Sequence, residues 1–113
     1  MAKFLISFPA AAMNVPGEEL AAVSEDAHSV IRAAKAAGVY VFGGGIDSSL
    51  PAVMVHADGV TVNGTYPQTK DFDGGFCVLE LPSRQEAIHW AAMIAKSCRC
   101  PQELRSFMYD PES

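Results

Sequence analysis

Two strand–helix–strand units, separated by a hairpin and one long loop, restrict the fold of this chain more than anything else in it. Residues 3–8 are aromatic and aliphatic and stop at Pro9, which reads as a buried strand with a defined end. A loop holding Pro16 and Gly17 follows. Over residues 18–37, Leu20, Val23, Ala27, Ile31 and Ala34 recur at steps of three and four. One face of a helix is therefore apolar, and Glu18, Glu25, Ser29 and Arg32 fall on the other side. Ser24-Glu25-Asp26 offers an alternative helix start, and Gly38 a natural stop. Residues 39–42 form a second strand closed by Gly43-Gly44-Gly45. Residues 52–56 and 60–62, joined by Asp58-Gly59, read as a hairpin. Residues 76–81 are a strong strand. Ser83-Arg84-Gln85-Glu86 behind Pro82 is a capping box, worth about 1 kcal/mol to the helix it opens. Ala87, Ile88, Ala91, Ile94 and Ala95 are that helix's apolar stripe, Pro101 stops it, and residues 104–109 are the last strand. The final four residues are expected to fray.

This order fits one domain over residues 1–113. Two such halves predict an α+β fold: a ferredoxin-like split βαβ sandwich, with an antiparallel sheet and two helices on one face. The first, second and fifth strands carry Phe, Val, Leu and Ile on both alternating faces, so the face turned away from the helices also needs a cover. A second copy is the simplest cover, and a homodimer through the sheet faces is expected.

Composition narrows the function. Eight Lys and Arg stand against 13 Asp and Glu, for a net charge of −5. Nucleic-acid binding needs a basic footprint to displace counterions, and none is present. No apolar run approaches the roughly 20 residues of a membrane span, and residues 1–8 are too short for a signal peptide. Three cysteines do not form a disulfide framework, so reduced thiols in the cytosol are expected. Cys98 and Cys100 have no second pair and no neighbouring His, so no metal site is expected. Gly43-Gly44-Gly45 lacks the spacing of a dinucleotide loop and reads as a bulged strand end that permits close backbone approach; no cofactor is expected.

The loop Asn63-Gly64-Thr65-Tyr66-Pro67-Gln68-Thr69-Lys70-Asp71 joins turn chemistry to both charge signs and runs into Gly74-Gly75-Phe76. It resembles the D-G-P-F-x-E-T-K-E signature of the YCII-related, or DGPF-type, proteins. The resemblance extends to Ala36-Ala37-Gly38-Val39, to Asp58-Gly59, to the run from Glu86 to Ala91, and to Glu103-Leu104-Arg105. It implies a dimeric α+β barrel of ferredoxin-like subunits, in agreement with the order of elements. For activity it implies two alternatives: some relatives are suspected enzymes with a His-Asp pair in a pocket, and others occur beside sigma factors, which suggests ligand sensing. Asn63 and Gln68 replace the signature's Asp and first Glu, so neither offers the acid–base chemistry of a carboxyl group. Thr69 and Lys70 are kept.

Several side chains are candidates for chemistry, each with a plainer alternative. His28 lies nearest the pocket histidine implied by the resemblance, one residue out of register counted to Gly38. It sits roughly 120° from the centre of the apolar stripe, which suits a rim position. It is either a general base or a solvated helix histidine. Asp47 would orient it, or merely start a turn with Ser48-Ser49. Lys70 either holds a carboxylate or phenolate, or pairs with Asp71 or Asp73, or is solvated. Tyr66 either donates its hydroxyl to a ligand or leaves it in water. Asn63 and Gln68 are candidate hydrogen-bonding residues of the same loop. The side taken by His56 depends on strand register, and His89 is expected to be exposed.

Two functions follow. One is a small cytosolic protein binding an aromatic or carboxylated molecule between sheet, loop and first helix. Cofactor-free acid–base chemistry would run there through His28 and Asp47, with Tyr66 and Lys70 on an oxyanion. The other is a non-catalytic sensing or regulatory module, favoured by the loss of both motif acids. An RNA-binding sandwich is disfavoured by charge.

Overall fold

The computed structural model describes residues 1–113. In chain order the elements are β1 (Ala2–Phe8), α1 (Leu20–Ala36), β2 (Tyr40–Gly45), β3 (Val53–Val55), β4 (Thr61–Asn63), β5 (Gly75–Leu81), α2 (Arg84–Cys98) and β6 (Glu103–Ser106). Short 3₁₀ turns occupy Ala10–Ala12, Gly17–Glu19 and Pro67–Thr69. The main sheet runs β2-β5-β1-β6 with every pairing antiparallel, and β3-β4 form a separate ribbon. With both helices packed on this sheet, the fold is the α+β split βαβ sandwich that the order of elements predicts.

Register sorts the side chains into rows across the sheet. Toward the helices stand Tyr40–Leu79–Phe4, then Gly43–Cys77–Ile6–Leu104, then Gly45–Gly75–Phe8. The first row is bulky and joins Ile6, Leu81, Ala34 of α1, and Ala87 and Ala91 of α2 in the core. The third row is mostly glycine, and its one side chain, Phe8, lies over Gly75 and leaves Gly45 open beneath the helix. On the opposite face run Phe42–Val78–Leu5–Arg105 and Gly44–Phe76–Ser7–Glu103. That face carries large apolar side chains in the open: Phe42 is 65% exposed. A bulge between Tyr40 and Phe42, ahead of the glycine run and not within it as the sequence reading had it, brings Gly43 onto the helix side.

Helix boundaries follow local chemistry. Ser83 Oγ accepts from the Glu86 amide at 3.2 Å, which is the N-cap half of the box. Gly38 ends α1 at a φ of +75°, a conformation that costs glycine nothing. The α2 terminus uses Arg99 in the left-handed region instead. Its guanidinium bonds the Lys96 and Ser97 carbonyls and reaches Asp26 of α1 at 2.8 Å, tying the two helices together.

Three details differ from the sequence reading. β2 continues through Gly45 rather than closing at the first glycine, because Gly43, Gly44 and Gly45 still pair with β5. The last strand spans Glu103–Ser106 rather than residues 104–109. Phe107 donates to the Lys3 carbonyl, and there the start of β1 leaves almost nothing further to pair with. In α2, Trp90 packs against the core while Ile88 is half-exposed, since Ile88 falls beside the line through Ala87, Ala91 and Ile94.

Candidate functional site

The glycine rows leave a cavity of about 530 Å³ between α1 and the sheet. Its floor is the backbone of Gly43, Gly45 and Gly75, and its roof is Leu20, Ala27 and Ile31 of α1. The α1 stripe therefore divides its work: Ala34 packs into the core, and the preceding turns face the cavity. Such a volume suits a small organic molecule.

Few polar groups enter. Tyr40 is placed by the bulge, and its hydroxyl lies 2.8 Å from where a Cβ on Gly43 would stand, so any larger residue there would push the Tyr40 ring aside. Burial, and then the charge of the adjacent Cys77, hold the Tyr40 hydroxyl above its ordinary pKa. Cys77 projects from β5, and burial pushes its thiol up to about 11. Cys98 and Ser97 close the far wall from the end of α2, where burial also raises the Cys98 pKa. Gln102 completes the polar set, its amide directed to the Cys100 carbonyl at 3.2 Å.

The Cys77 shift carries a stability consequence. A thiol whose folded pKa exceeds its unfolded value keeps its stabilising contribution below the unfolded pKa and loses it as pH rises toward the folded one. Urea unfolding midpoints are therefore expected to fall between about pH 9 and 11, and Cys77→Ala to flatten that fall. An unchanged slope in the variant would show that the thiol does not titrate with folding.

Of the candidate catalytic and ligand-binding side chains, His28 alone lines this cavity, at its solvent-exposed mouth. Asp47 stands outside it, fully exposed. Its carboxylate accepts from the Ser49 amide at 3.0 Å and the Ser49 hydroxyl at 2.6 Å, and these bonds lower its pKa. That is the turn-starting geometry. Asn63 ends β4 opposite Val53, and Gly64, not Asn63, takes the positive φ. Tyr66, 64% exposed, caps the 3₁₀ turn through its carbonyl, which accepts from the Thr69 amide. Gln68 and Lys70 are exposed, and Lys70 makes no ion pair with Asp71 or Asp73. His28, Asp47, Tyr66 and Lys70 thus do not meet at one cavity within a single chain. His56 follows β3 and joins the hairpin turn; His89 is exposed.

The motif loop has a different visible role. Asp73 accepts from the Ala10 amide at 3.0 Å, and the Gly74 carbonyl accepts from the Ile46 amide at 2.8 Å. The loop's end thereby joins the exits of β1 and β2. Tyr40, Cys77, Trp90 and Gln102 escaped the sequence reading because each reads as an ordinary strand, helix or loop residue. The available signal was Tyr40 followed by three glycines: a strand stripped of side chains beside an aromatic implies empty space above it.

The family model of the YCII-related domain matches residues 3–96. The chain belongs to the YCII-related family. No curated protein matches it. Among solved structures it is similar to the 5-chloro-2-hydroxyhydroquinone dehydrochlorinase from Burkholderia phenoliruptrix AC1100, in complex with 2,5-dihydroxybenzoquinone. The identity is 17%, the TM-score 0.49, and 97% of each chain is covered. No helix of this family member is long and apolar enough to cross a membrane.

Proposed function

We propose that this YCII-related chain works as a cytosolic homodimer that binds a small organic molecule, aromatic or carboxylated, in the cavity beneath α1. The observation that carries the binding reading is the glycine floor. Gly45 opens directly onto the space, Gly43 and Gly75 let the Tyr40 hydroxyl and the Phe8 ring lie down close to the strands at its edge, and His28 borders it from α1. Three unpaired cysteines suit a reducing compartment.

The homodimer is supported by surface area. A compact monomer of 12.0 kDa exposes roughly 6,000 Å². This chain exposes 7839 Å². The surplus of about 1,800 Å² per chain, doubled, falls in the range of obligate homodimers. The open sheet face offers the apolar patch for it, with Phe42, Val78 and Leu5 in one row.

Binding without catalysis is the reading the geometry favours, because Asp47 engages Ser49 and stands apart from the cavity that His28 borders. A panel of phenols, benzyl alcohols and benzoates, titrated while the emission of Trp90 is followed, tests it. Trp90 is the single tryptophan and part of the cavity wall. Saturable change by at least one member is expected, and none at all would sink the reading. His28→Ala is expected to weaken that member about fivefold, the loss of one hydrogen bond. Lys70→Met is expected to leave it unchanged. If Lys70→Met cost more than His28→Ala, the motif loop with Asn63, Tyr66, Gln68 and Lys70 would be the binding element, and the acid–base enzyme would regain ground.

A further inference from the structure

The charge of the lining restricts what the cavity can accept. Among its 24 lining residues there is no Asp, Glu, Lys or Arg. The polar groups inside are hydroxyls, thiols and one amide, and the raised Cys77, Cys98 and Tyr40 pKa values leave those three neutral at pH 7. His28 is the one lining side chain of a kind that ionises in the physiological range, and it stands at the mouth, not the floor. The walls are mostly apolar, 16 of the 24 residues being hydrophobic. A full charge carried to the floor would lose its water and find no counter-ion. A neutral hydroxyl or carbonyl would find Tyr40 beside it. The bare backbone at Gly45, flanked by the Tyr40 and Phe8 rings that lie low over Gly43 and Gly75, gives a flat ring a surface to lie on.

We infer that the cavity selects uncharged, flat molecules bearing a hydroxyl or carbonyl, and rejects carboxylates, phosphates and ammonium ions. This rests on the cavity being the binding site proposed above, and narrows its ligand to the neutral class. The lysine of the motif loop then has no part in recognising an anion there.

The test uses one ring in three charge states. 2-Naphthalenemethanol, 2-naphthoate and 2-naphthylmethylammonium are titrated calorimetrically into the full chain at pH 7.5. Two cavity-filling variants report location. Ala27→Phe extends from the roof. Gly45→Val extends from the floor, where an added Cβ meets nothing nearer than the Gly74 carbonyl at 3.9 Å. The neutral alcohol is expected to bind at least about tenfold tighter than either ion. Either variant that keeps its far-ultraviolet spectrum should lose that binding. Naphthoate or the ammonium binding as well as the alcohol, and lost in the same variants, would overturn the neutral selectivity and leave the site intact. Binding of the alcohol that survives both variants, or no binding by any of the three, would overturn the cavity as the site as well.

Discussion

Val78→Asp is expected to leave a folded monomer. Val78 lies in the middle of the open sheet face, between Phe42 of β2 and Leu5 of β1 in one row across the strands. Its side chain points away from the core formed by Phe4, Ile6, Leu79 and Leu81, so the change does not enter the packing beneath the helices. In a two-fold dimer each residue of the patch faces the same patch, and the substitution acts twice. Two carboxylates would be buried against apolar surface with no free cation beside them: Arg105, in the same row, already contacts Glu103, and Lys3, which lines the same groove as Val78, bonds the Ser113 carbonyl oxygen at 3.1 Å. Leaving a buried charge uncompensated in this way costs about 3–5 kcal/mol, so dimer affinity should fall by roughly a thousandfold or more. Sedimentation equilibrium at micromolar chain concentration separates the outcomes, with circular dichroism as the control for fold. A wild-type chain that sediments as a monomer, or a variant that remains dimeric, would remove the sheet face as the interface.

The same face shows how far sequence alone could reach. Apolar residues on both sides of residues 3–8 and 76–81 announce a sheet that needs two covers, and the helix stripes supply one. The order of elements, the N-cap at Ser83 and the stop at Gly38 are local chemistry, and the structure keeps all three. The cavity is not local. It arises because a bulge after Tyr40 shifts Gly43 and Gly45 onto the helix side and sets them beside Cys77 and Gly75. A one-residue change of register reverses every side chain, and no pattern in the chain announces where that change occurs. His28 was legible because a helix phase can be counted from sequence. The motif loop misled on location for the opposite reason. Its residue types suit chemistry, yet Tyr66 spends its carbonyl on the 3₁₀ turn and Lys70 stands in solvent. What brings a loop near a cavity is tertiary packing, and β3-β4 with the loop behind them extend as a separate ribbon, giving the chain extents of 44 × 42 × 20 Å.

Gly74→Ala should have the largest effect on stability of any single methyl addition in the chain. A Cβ there would stand 2.0 Å from the Phe8 carbonyl oxygen and 2.8 Å from both the Ala10 amide nitrogen and the Pro9 carbonyl carbon. All three neighbours are backbone, so no rotamer change relieves the clash. The φ of Gly74 is not in the left-handed region, so the requirement for glycine is one of space alone. Space is short because three chain segments meet here: the exit of β1, the exit of β2 through the Ile46 bond to Gly74, and Asp73 on the Ala10 amide. Moving β1 away to admit the methyl would break these bonds and tilt Phe8, whose ring already lies against Gly75 and borders the cavity. Overpacking a tight site costs about 1–3 kcal/mol, and rigid backbone on every side places this case at or above the upper end. At roughly 4 °C per kcal/mol for a chain of this size, the melting temperature should fall by about 12 °C or the protein should fail to accumulate. Gly64→Ala supplies the contrast. It is strained by its φ of +113° but meets nothing within 4 Å, and should cost about 1–2 kcal/mol. Equal melting temperatures for the two variants would show that the junction at Gly74 yields, and that the glycine pair entering β5 is held by something other than close backbone approach.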